Sequence, residues 1–86
     1  MHEMGIASSI LEAVQKEEML QRGCRATKVG VRIGDYAGVD AESLRFCFEA
    51  LVKGSSLASL ELAIEARAGD ELDLCWVEFD DAEAAA

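Results

Sequence analysis

The chain has 86 residues, 51% of them hydrophobic, and a net charge of −9 from 17 acidic and 8 basic residues, which predicts one small domain with a single modest core and excludes a disordered composition. The acidic excess argues against nucleic acid and anionic membrane as main partners and favours cations or cationic protein patches. No segment approaches the ~20 apolar residues of a membrane span, no basic-then-apolar leader marks export, and three separated cysteines without a C-x-x-C pair predict reduced thiols, so the expected location is cytoplasmic.

From about Glu3 to Arg22, Met4, Ile6, Ala7, Ile10, Leu11, Ala13, Val14 and Leu20 recur at helical spacing. Glu12, Gln15, Lys16 and Glu17 occupy the other side, and Gly23 supplies the stop. "TKVGVRIGD" then alternates, with Val29, Val31 and Ile33 on one face and Lys28, Gly30 and Arg32 on the other, which predicts a strand with one buried face. After the turn region "GDYAG", Asp40 can cap a second helix, "AESLRFCFEALVK", with an apolar stripe of Leu44, Phe48, Leu51 and Val52 and a stop at Gly54.

Period-two alternation resumes through Leu60, Leu62, Ile64 and Ala66, and Ala68-Gly69-Asp70 reads as a short hairpin connection to "ELDLCWVEF". In this last strand Leu72 and Leu74 share a face, but Val77 and Phe79 are out of phase with them. A bulge at Cys75-Trp76 would restore the phase; the alternative is a strand apolar on both faces, with Trp76 or Phe79 left for a partner. The order helix, strand, helix, strand, strand predicts a two-layer α+β domain, with two helices covering a three-stranded sheet. Residues 1–80 form this domain, and 81–86 an acidic and alanine tail.

No constellation for catalysis is present: one histidine, no G-x-S-x-G and no phosphate loop. The amino terminus is different. The α-amine of Met1, the amide nitrogen of His2 and the imidazole Nδ1 of His2 can close fused chelate rings on one ion, and a planar set of nitrogen donors suits Ni(II) and Cu(II). Amides at a helix start lack intrahelical partners, so those of His2, Glu3 and Met4 can serve as ligands without breaking a ladder. Ionised amides and the Glu3 carboxylate would offset the metal charge that a helix N-terminus disfavours. The competing reading is an incidental polar residue on a frayed end.

Taken together, "MHEMGIASSILEAV", "VRIG", "VDAESLRFCFEAL" and "GDELDL" resemble the HypA/HybF family of nickel metallochaperones, over nearly the whole chain. The resemblance implies a nickel-binding domain of this same element order and a non-catalytic function: Ni(II) is held at the amino terminus and delivered for [NiFe]-hydrogenase maturation and, in some bacteria, urease. It implies a metal site at Met1, His2 and Glu3, with His2 the surest ligand and Glu3 serving at the site or in docking. The implied partners are a HypB-type GTPase and the hydrogenase large subunit or urease accessory proteins.

The chain departs from the family pattern in one place. Family members carry a zinc module with two C-x-x-C pairs between the last two strands, whereas here the strands join directly between about residues 66 and 70. No zinc is therefore expected, in either a natural zinc-less form or a chain from which the module has been removed. The fourth nickel ligand is left to water, the Glu3 amide or a partner residue. Strain in so short a return invites exchange of the last strand and a strand-swapped homodimer. The rival function is a protein-interaction module that docks to the GTPase without appreciable metal affinity.

Overall fold

The computed structural model describes residues 3–22 and 24–81. The elements follow the expected order: α1 (Glu3–Leu20), β1 (Cys24–Gly34), α2 (Ala41–Val52), β2 (Glu61–Arg67) and β3 (Leu72–Asp81). Gly23, expected to stop the first helix, lies outside the described residues. The helices cover one face of the sheet, and the core forms between them. Ala7, Ile10 and Val14 enter it from α1, Val29, Val31 and Ile33 from β1, and Leu44, Phe48 and Val52 from α2. Met4 and Leu20, placed in the apolar stripe by spacing, are instead exposed at the two ends of α1.

Strand order is the main correction. The sheet runs β2-β1-β3. β2 is parallel to β1, with Val31 opposite Ile64, and α2 supplies the crossover that parallel neighbours require. β3 lies antiparallel on the other edge of β1, from Ile33 opposite Leu72 to Cys24 opposite Asp81. The segment 68–71 is therefore no hairpin, because it passes over the end of β1 to reach the far edge.

Three hydrogen bonds fasten that crossing. The amides of Gly34, Asp35 and Tyr36 donate to the carbonyls of Glu71 (2.8 Å), Arg67 (2.9 Å) and Gly69 (2.7 Å). A Cβ on Gly34 would collide with the Gly69 carbonyl, so glycine is what lets the chain pass so closely. The tight return that motivated strand exchange is absent, since the connection runs across a strand that satisfies its backbone groups.

The bulge in β3 is present. Gly30 pairs with Trp76 and Val31 with Leu74, which leaves Cys75 as the extra residue. Leu72, Leu74, Val77 and Phe79 thereby share the helix-facing side, and Val77 and Phe79 pack against the core. Trp76 falls on the opposite face, where its indole lies over Gly30 so closely that any Cβ there would meet the ring. A second irregularity leaves Thr27 unmatched between Ala26 and Lys28. The Ala26 amide finds a partner outside the ladder, the Glu18 carboxylate at the end of α1 (2.7 Å).

Candidate metal centre

The beginnings of α1 and α2 meet. Asp40 caps α2 as its position before the apolar stripe predicted, with extended backbone (φ −83°, ψ 112°). Its Oδ1 accepts from the amides of Glu42 (3.0 Å) and Ser43 (3.2 Å), two donors that a helix start leaves without intrahelical partners. The Asp40 amide in turn donates to Oε2 of Glu3, the first residue of α1, at 3.1 Å. A carboxylate at the start of one helix is thus anchored on the cap of the other. Two positive helix ends lie side by side with two carboxylates between them.

This setting holds Glu3 charged. The Asp40 amide, and after it the backbone amide of Glu3 itself, keep its carboxyl below the ordinary glutamate value, because both stabilise the ionised form.

Of the three residues expected at the metal site, Met1 and His2 lie outside the described residues and Glu3 within them. Among the described residues no group of three or more His, Cys, Asp or Glu side chains is placed to hold a metal ion. Cys24, Cys47 and Cys75 are free thiols on β1, α2 and β3 respectively. Sequence reasoning placed Asp40 as a cap but missed its contact with Glu3. The donor is a backbone N–H 37 positions away, and no residue type marks it.

What the arrangement can do follows from these contacts. A nickel chelate built on the Met1 amine and the His2 nitrogens would directly precede a residue whose side chain is already held, so the last covalent link to the donors starts from a fixed point. With Oε2 engaged by the Asp40 amide, the Glu3 carboxylate places a negative charge at the start of α1.

A family model described as hydrogenase/urease nickel incorporation, metallochaperone, hypA, matches residues 1–76. The chain belongs to the HypA family. It is 40% identical over 80 residues to the hydrogenase maturation factor HypA of Chlorobaculum tepidum, covering 92% of this chain and 71% of that protein. To the Chlorobium limicola HypA it is 45% identical over 65 residues, covering 76% of this chain and 56% of the relative. The solution structure of the Ni metallochaperone HypA from Helicobacter pylori superposes with a TM-score of 0.70 at 22% identity, over 78% of this chain and 58% of that one, a likeness of fold. This HypA-family chain spans between about half and three quarters of the length of these relatives. The family is one of nickel-incorporation metallochaperones, not of enzymes. No helix among the described residues is long and apolar enough to cross a membrane.

Proposed function

We propose that residues 1–80 form a nickel-carrier domain that binds Ni(II) through Met1, His2 and Glu3 and passes it to a maturation target in the cytoplasm. The observation that carries this reading is the anchoring of Glu3 on the cap of α2. It sets the residue next to His2 at a junction of two helix starts. The family match, which begins at residue 1, supports nickel as the cargo.

Each donor has one task. The His2 imidazole and amide nitrogens bind the metal, the Met1 amine closes the second ring, and the Glu3 carboxylate holds the segment while offsetting positive charge. A terminal chelate can be dismantled one ligand at a time by a receiving protein, as a carrier requires. The receivers in this reading are a HypB-type GTPase and the hydrogenase large subunit, or urease accessory proteins where urease is the target. Zinc has no assigned place in this chain, which lacks paired C-x-x-C motifs.

Nickel titration of protein with a native amino terminus tests the reading. A square-planar absorption band is expected in the parent and lost in His2→Ala. An unchanged band in that variant would overturn the site and favour an interaction module without useful metal affinity. One or two residues added before Met1 should weaken binding without altering the fold, because they convert the amine to an amide.

A further inference from the structure

The helical layer does not cover the whole sheet. Leu72 and Leu74 share the helix-facing side of β3 with Val77 and Phe79, yet they are 38% and 39% exposed. Between them and α1 runs an apolar groove of about 420 Å³, lined by Gly5, Ile6, Ser9, Ile10, Leu72 and Leu74 among others. Gly5, Ser9 and Ala13 follow one another at single-turn intervals along this wall, so the helix presents small side chains where an incoming group needs room. β3 pairs with β1 along one edge only. Its other edge bears a row of backbone donors and acceptors with no strand beside it among the described residues.

Charge identifies what fits there. Every charged residue from Asp70 onward is acidic. Glu12 and Glu17 stand with Lys16 around an adjoining hollow that also reaches Leu74.

We propose that the groove and the free edge of β3 together receive an extended segment of a partner protein that alternates apolar and basic residues and adds as a fourth strand. Strand addition satisfies the open row of amides and carbonyls, and side-chain alternation sends every second residue into the groove beside Leu72 and Leu74. The intervening lysines or arginines fall on the outer face near Asp73. A second copy of this chain is the wrong occupant, because laying β3 on β3 juxtaposes the acids of two strands that contain no base. An amphipathic helix would fill the groove but leave the edge unpaired. The bulge at Cys75 sets the extent of the site, since the regular run of the ladder at this end is Leu72–Leu74.

The test uses ¹⁵N-labelled protein in nickel-free buffer with an acetylated peptide of alternating valine and lysine, against a valine–glutamate control. Amide shifts are expected at Leu72–Leu74 and at Gly5, Ser9 and Ala13, with slowed exchange along β3 and affinity that falls as salt is raised. Leu74→Lys should weaken binding about tenfold by placing a charge where the valines of the peptide enter the apolar groove. Asp73→Lys, whose register partner Arg32 is exposed, should do the same without touching the core. Neither substitution should change nickel titration, so failure here is distinguishable from failure of the nickel reading. Absence of these shifts, equal binding of the glutamate peptide, or peptide-free dimerisation through the same amides would each overturn the proposal.

Discussion

The two flanks of β1 are built differently. On the β2 side, α2 lies over the strands it connects, Leu62 is 6% exposed, and Nη1 of Arg45 donates to the Leu62 carbonyl at 2.8 Å. Leu57 and Leu60, in the connection after α2, close that side at 2% and 5%. The β3 side has no crossover helix, because β3 arrives by a short link over the end of β1, and among the helices it faces α1, through Gly5, Ile6, Ser9, Ile10 and Ala13. The difference teaches that topology, more than composition, decides where this sheet is buried. A helix inserted between parallel neighbours must cover them, whereas a strand reached by a short bridge acquires no cover of its own.

If that contrast is right, truncations on the two flanks should differ severalfold. Phe48→Ala, at a side chain 1% exposed, is expected to lower unfolding free energy by about 3–5 kcal/mol through lost burial and an unfilled cavity. Leu74→Ala should cost only about 1 kcal/mol, since part of the side chain is already in water. Urea unfolding of both variants reads the difference, and equal losses would break the comparison.

The bridge gives a second, smaller effect. Gly34→Ala must push the Gly69 carbonyl away and disturb the hydrogen bonds at the strand end. A loss of about 1–3 kcal/mol is expected, as for other over-packed sites. Faster hydrogen exchange at Gly34, Asp35 and Tyr36 would accompany it. Unchanged exchange would mean that the crossing does not depend on close approach at Gly34.

The sequence disclosed these regions unevenly, for physical reasons. Periodicity marked both helices and the strands, because burial on one face leaves a pattern within a single segment. The bulge at Cys75 was legible for the same reason: Leu72 and Leu74 are out of phase with Val77 and Phe79. Its counterpart at Thr27 went unread, since the phase break falls between Ala26 and Val29 and alanine is a weak apolar signal. Strand order was not legible. "RAGDEL" suits a hairpin as well as a bridge, and the choice rests on Gly34 meeting Gly69 across the fold. At the candidate site, Met1 and His2 could be proposed as donors because they are covalent neighbours, and both lie outside the described residues. The contact of Glu3 with the Asp40 amide left no sequence mark.

A subtler probe of the open flank is Trp76, 39% exposed and laid over Gly30. Gly30→Ala should displace the indole, shifting tryptophan emission to longer wavelength with a modest loss of stability. Because Gly30 and Trp76 lie on the sheet face away from the helices, the groove beside Leu72 and Leu74 should keep its shape. Shifts confined to residues around Gly30 and Trp76 would separate the two faces of β3; shifts reaching Gly5 and Ser9 would join them.

The smallest effect concerns the junction of the helix starts. Glu3 has its carboxyl held below the ordinary value by the Asp40 amide and its own amide, so the folded state favours its ionised form more than the unfolded chain does. Its contribution is therefore fully present above the ordinary glutamate pKa and is lost as pH falls through the lowered value. Thermal midpoints of the parent and Glu3→Gln should differ slightly at neutral pH and converge in acid. The side chain is solvent-exposed enough that added salt should narrow the neutral-pH gap as well. A gap that persists in acid would assign the contact a packing role, and the electrostatic account of how Glu3 is held beside His2 would have to be abandoned.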